Sequence, residues 1–435
     1  MPITVAGIYS TLGNPSSLIP LAIKDVSATA GMTAGSYLTG KEEGRDRLID
    51  EVGTTVIWLL GIPFAKKLFD LGVFKPLKMN PKFDARNLKN DDVFEKIKKY
   101  APDDVVKNDI LKIEKNKKLY KNLTVVKFLT STFFAVTSYI ALTRFKQNYT
   151  EKKIRENLIA EYNKNTQPSE KNEDNNNESV SFKGVGKAIE YFAFDPVRNM
   201  YLLDGCITGE RLIDSRSPQE LAGYAIKEGA TLCFMYYAGG KIQSLMEKSA
   251  EKKHNKSIAL DARILEKDDF KTAFKDGSIK KSIEEFDKIA ECSNNLGTTK
   301  NPAELYEFLV KNPSNIIVKS AKYSGLIKEY KKTGKIDTRI YIDLNNVEKM
   351  NENIKKLYAE YKDAIANGET NDKFFKKVRG LKRHSVLMNI GSCILALGVI
   401  TPAIMLLKRF NDKSGEEFQT KKEIREQLIN EGIIS

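Results

Sequence analysis

At 435 residues the chain has room for two or three domains and a sizeable core, and with 71 Lys+Arg against 57 Asp+Glu and a mean hydropathy of −0.39 most of it lives in water. The net charge of +14, carried mostly by lysine, suits an anionic partner, either lipid head groups or nucleic acid. Four scattered cysteines (Cys206, Cys233, Cys292, Cys393) form no C-x-x-C pair and have no histidine nearby, which excludes a disulfide scaffold and a zinc finger. Two of them sit in apolar stretches and read as reduced, buried thiols.

Taken in order, residues 1–47 are rich in small residues. The opening MPITVAGIYSTLG has neither the basic start nor the continuous apolar run of a cleaved signal peptide, so none is expected. Residues 52–65 (VGTTVIWLLGIPFA) follow, with Asp50 and Glu51 before and Lys66 and Lys67 after, matching the helix macrodipole. Residues 75–122 are a basic helical stretch, with fourteen Lys/Arg against eight Asp/Glu. Residues 123–143 are apolar except for Lys127, which can snorkel from a helix end. A charged helical tail completes this part, and residues 163–181, rich in Asn, Glu and Ser without apolar periodicity, read as a disordered linker.

Beyond the linker the same programme restarts. Asp195-Pro196-Val197 echoes Asp25-Val26, Ile207-Thr208-Gly209 echoes Leu38-Thr39-Gly40, and Gly229-Ala230-Thr231 echoes Gly53-Thr54-Thr55. Asp261-Ala262-Arg263 and the Asp268-Asp269 pair repeat Asp84-Ala85-Arg86 and Asp91-Asp92. Arg409-Phe410 matches Arg144-Phe145, and the run from Thr420 to Ile429 matches that from Thr150 to Ile159. Six echoes in one order predict a tandem duplication: 1–162 as the first repeat unit and 182–435 as the second. The second carries a helical insert at about 270–370, with amphipathic periodicity at 282–290, 302–310 and 347–366 and strand-like alternation at 336–344.

The second long apolar run, residues 385–407, holds no charged side chain and is flanked by Arg379, Lys382, Arg383, Lys408 and Arg409. As a helix it rises about 34 Å, enough to cross the hydrocarbon core of a bilayer. The competing reading is the core helix of a soluble protein; length and flanks favour a span. Residues 123–143 are the other expected span. Residues 52–65 and 229–240 reach only about 21 and 18 Å and are expected to stop short of crossing. Lysine and arginine counts on the two sides of each span nearly tie, so charge does not orient them. The basic helical regions are expected on the cytoplasmic face of the cytoplasmic membrane, against anionic head groups.

Chemistry is sparse. Each Asp-Ala-Arg motif reads as a helix entry, with Asp91 or Asp92 and Asp268 or Asp269 capping the next helix. Gly35–Glu42 nearly spells a phosphate-binding loop, but Glu42 stands where a magnesium-binding hydroxyl belongs and no strand precedes it, so a tight turn is expected. Gly184-Val185-Gly186-Lys187 reads as a turn. His254 and His384 lack partners at ligand spacing. Tyr236, Tyr237 and Trp58 suggest a stacking site, with interfacial aromatics or ordinary packing the better account. No catalytic, cofactor-binding or metal-ligating residue is assigned, and the lysines are too dispersed to favour nucleic acid over lipid.

The expected class is a mainly α membrane protein acting as a non-enzymatic, membrane-anchored scaffold or adaptor, with a protein partner. The alternatives are a pseudosymmetric transporter or lipid-binding protein, and a soluble all-α protein that binds an anionic partner. Against transport stands the absence of acidic residues inside either long apolar run.

Overall fold

The computed structural model describes residues 5–14, 17–163, 192–215, 218–290, 301–411 and 419–434. Among these the protein is mainly helical and contains no strand. The expected linker at 163–181 lies outside the described residues, apart from the last residue of a helix ending at Asn163.

Two compact units emerge, and both draw on either side of that gap. Unit 1 comprises Met1–Pro20, Leu68–Val126 and Gly240–Ile390; unit 2 comprises Leu21–Lys67, Lys127–Gly239 and Gly391–Ser435. The units therefore interleave along the chain.

Unit 1 is a stack of short amphipathic helices. Asp91–Lys99, Asp268–Lys275 and Ser278–Ala290 each present one apolar face, and Phe94, Phe270, Phe274 and Phe286 are fully buried. Phe274 packs edge-on against Tyr361 at 5.4 Å and Phe375 at 5.3 Å, geometry that aromatic quadrupoles favour. The amphipathic helices expected in the insert are present as Ser278–Ala290, Pro302–Lys311 and Leu344–Ala366. The strand-like stretch at 336–344 forms no strand: Glu329 and Ile336 make one isolated bridge, and Asp337 then opens a turn.

Unit 2 is built from longer helices. Leu18–Thr39 enters it, Pro196–Ile213 and Pro218–Leu232 lie wholly within it, and Gln419–Asn430 closes it. Its cores are small. Trp58, Ile62, Ala135, Tyr139, Met200, Leu203 and Ile207 form one. Ile154 and Leu158 meet Ile424 and Leu428 in another, so the two charged tails pack through the matched apolar positions of their shared motif.

Among the described residues, three helical stretches are long and apolar enough to cross a membrane: Lys41–Phe74, Lys117–Tyr162 and Asn371–Leu407. Only 22%, 22% and 33% of their most apolar windows are buried. The last two contain the expected spans. The first corrects an expectation, because residues 52–65 are the middle of a helix long enough to cross. Its charged flanks do not end it, since Asp50 and Glu51 are buried against cations and need no water. Each long stretch runs from one unit into the other along the chain. All three include π-helical turns or lie against one: Ile57–Gly61, Asp70–Phe74, Cys233–Ala238 and Ala396–Ile400 interrupt the regular bonding in their helices.

Candidate functional site

The charged residues that sequence periodicity leaves unexplained converge inside unit 2. The Lys41–Val56 helix contributes Asp46, Arg47, Asp50 and Glu51; the Lys117–Asn163 helix contributes Tyr139 and Lys146; Pro196–Ile213 contributes Arg211; Pro218–Leu232 contributes Lys227 and Glu228. Asp50 is 1% exposed, Glu51 3% and Arg211 3%, values that solvated side chains of these types never show.

Arg211 is the hub. Its guanidinium lies 3.3 Å from Asp50, pairs with Glu228, and donates to the Tyr139 hydroxyl and, at 3.0 Å, to Thr54 Oγ1. Lys227 bridges Glu51 at 3.0 Å and Glu228 at 2.9 Å. Lys146 reaches Asp46 at 3.7 Å and the Tyr224 hydroxyl at 3.0 Å. Glu51 and Lys227, which meet as an ion pair, each lie two residues before a glycine, Gly53 and Gly229.

Beside this network lies a small cavity of about 30 Å³, lined by Asp25, Glu51, Thr55, Trp58, Asp204, Arg211, Lys227, Glu228, Thr231 and Tyr236 together with apolar side chains. Two carboxylates sit on its wall. Asp25 accepts from Trp58 Nε1 at 2.7 Å and Thr55 Oγ1 at 2.9 Å, both on Oδ2. Asp204 accepts from the Tyr236 hydroxyl, also on Oδ2. The two arrangements are alike: an aspartate and its aromatic donor are 33 residues apart in the first half and 32 in the second. Nearby, Lys24 is 4% exposed and donates to the Phe234 and Met235 carbonyls at 3.1 and 3.4 Å, where the π-helical turn Cys233–Ala238 breaks the regular bonding.

The other candidates from the sequence fall elsewhere. Each Asp-Ala-Arg motif is a helix entry, but the cap is its own aspartate. Asp84 accepts from Arg86 N at 3.0 Å and Asp261 from Arg263 N at 2.8 Å, and each arginine folds back in a fork on the same carboxylate. Asp91 and Asp268 begin the following helices, whose caps are Asn90 and Lys267. Asp337-Thr338-Arg339 forms the same fork, with Arg339 Nη2 to Asp337 Oδ2 at 2.8 Å. This third copy was missed, and its signal, D-T-R followed by an apolar pair and N-N-V, was present. The two copies touch directly, since Asp84 N donates to the Arg339 carbonyl at 2.8 Å.

Gly35–Thr39 belong to the last turns of one helix and Lys41 starts the next, so the phosphate-loop resemblance marks a helix junction broken at Gly40. Residues 184–187 lie outside the described residues. His254 lines a polar surface cleft of unit 1 beside Lys256 and Glu369, and His384 is an exposed helix residue. Cys393 is buried, whereas Cys233 is exposed, so one of the two thiols expected to be buried is not. Trp58 and Tyr236 do come together at one site, as hydrogen-bond donors to carboxylates; the exposed Tyr237 packs edge-on to Tyr201 instead.

No protein family matches the sequence, and no curated protein or solved structure shows significant similarity to it. The site itself therefore sets the class: a helical protein with, among the described residues, three helices fit to cross a membrane, and a charge network buried inside unit 2.

Proposed function

We propose that the chain is a pseudosymmetric integral membrane protein of the transporter class, with its polar site in unit 2. The observation that carries this reading is the buried ionic network, in a unit whose outward face is apolar. Leu60, Phe64, Phe133, Leu395, Val399 and Leu407 are each more than half exposed on the candidate spans. Burying unlike charges inside such a body is expensive, and hydrophobic residues of similar volume stabilise as well or better. Membrane proteins keep ionisable groups at depth where a polar species must pass or bind.

The argument against transport looked for acids inside the two long apolar runs, whereas these carboxylates come from the four helices beside them. Two-fold character is supported by the Glu51–Lys227 pair and the packing of the two matched tails. Sites at repeat interfaces, on helices with interrupted backbone bonding, are the pattern of secondary transporters. An anchored scaffold accounts for the lysine-rich helices of unit 1 but gives the network no task. The lysines are then the grip on anionic head groups at the cytoplasmic face.

Alternating access separates the two readings without a known substrate. Thr55, on the cavity wall, is replaced by cysteine in a chain whose four native cysteines are serine, and sealed vesicles are treated with a membrane-impermeant thiol reagent from one side or the other. Labelling from both sides is expected. Labelling from one side only, or from neither, contradicts transport.

A further inference from the structure

We infer that the cavity of unit 2 binds a single monovalent cation, a sodium ion or a proton, between Asp25 and Asp204. This deepens the transporter reading and rests on it only for its purpose. Charge is the first argument. Four carboxylates line the cavity (Asp25, Glu51, Asp204, Glu228) and only two cations do (Arg211, Lys227). Both cations are committed: Arg211 to Asp50 and Glu228, Lys227 to Glu51 and Glu228. Among the described residues Asp25 and Asp204 have only neutral donors, Trp58, Thr55 and Tyr236. An ionised carboxylate away from water demands either a proton or a counter-charge.

Free oxygens are the second argument. Every donor to the pair uses Oδ2, so Oδ1 of each aspartate is left for a ligand. The Thr231 side chain, 8% exposed, stands on the same wall, and its hydroxyl meets no protein partner among the described residues. A hydroxyl that opens onto a cavity is free to take a ligand or a water there. The volume of about 30 Å³ accommodates an ion and one water. Two carboxylate oxygens and a hydroxyl are hard ligands, and no set of three or more His, Cys, Asp or Glu among the described residues is arranged for a metal ion, which speaks for a single charge over a divalent ion. The charged and titratable groups facing the pair from neighbouring helices are Glu51, Arg211, Lys227, Glu228 and Tyr236.

Trp58 is the only tryptophan in the chain and donates to Asp25, so its emission reports on the site directly. The full chain, purified in detergent, is titrated with sodium chloride against choline chloride at constant ionic strength, and separately with acid. A saturable change with sodium identifies the alkali ion; a change with pH alone identifies the proton. Asp204→Asn abolishes the response. Thr231→Val, a milder change that keeps the aspartates, weakens the apparent affinity about tenfold, equivalent to about 1.4 kcal/mol. Emission indifferent to sodium, potassium, lithium and pH overturns the proposal, as does a wild-type response in the Asp204→Asn chain. Because this is read in micelles, a chain that binds the ion yet labels from only one side of a vesicle overturns transport and leaves the site standing.

Discussion

Glu307, on the Pro302–Lys311 helix of unit 1, holds together three basic or phenolic groups. Lys311 lies 2.8 Å away and Lys96 and the Tyr100 hydroxyl donate to the same carboxylate. These hydrogen bonds, Lys311 first, hold the Glu307 carboxyl well below its ordinary value of 4.5. A depressed folded-state value makes the ionised form the stabilising one. The contribution is full above the unfolded value and is lost as pH falls through the depressed one. Thermal unfolding followed from neutrality into strong acid should therefore lose stability in the wild type, while Glu307→Gln starts lower at neutrality and loses less. Equal losses in both chains would contradict this role. At this scale the sequence was legible for turns and opaque for the network. D-A-R announced a cap, although the capping carboxylate proved to be the motif's own. Arg211 carried no signal, because an arginine in an 18-residue helix reads as solvated until its four partners from three other helices are placed around it.

Among the elements, the contact that packs unit 2 most closely is backbone on backbone. A Cβ added at Gly31 would lie 2.0 Å from the Gly398 carbonyl oxygen, on the π-helical turn Ala396–Ile400. Small residues at such crossings are what membrane helices use to approach. Gly31→Ala should lower stability by about 1–3 kcal/mol through overpacking. Gly229, in the Pro218–Leu232 helix, has nothing within 4 Å of an added Cβ, so Gly229→Ala should raise stability by about 0.5–1 kcal/mol. Melting of the two variants in detergent checks the pair, and a neutral Gly31→Ala removes the close crossing. Helices with an unbroken apolar or amphipathic period were readable from sequence. Residues 52–65 were misjudged because the length of a span was taken from its uncharged run. Asp50 and Glu51 extend that helix inside the protein, since Arg211 and Lys227 neutralise them.

For the whole molecule, the interleaved units could not have been read from linear order. Which segments share a core depends on pairings such as Ile154 with Ile424, far apart in sequence. The same scale holds the central claim, that the apolar surface of unit 2 faces lipid. Leu395 and Val399 are 52% and 56% exposed, so in a soluble protein arginine at either position would be nearly neutral. In a bilayer each central arginine costs about 2.5–3.5 kcal/mol, so the pair costs about 5–7. The most direct measurement is the partition of the chain between pellet and supernatant after alkaline carbonate extraction, with the wild type and the Leu395→Arg/Val399→Arg chain run side by side. The account predicts wild-type protein in the membrane pellet and a variant that is released or fails to accumulate. Wild-type protein in the supernatant, with a variant that accumulates and folds equally well, would contradict it.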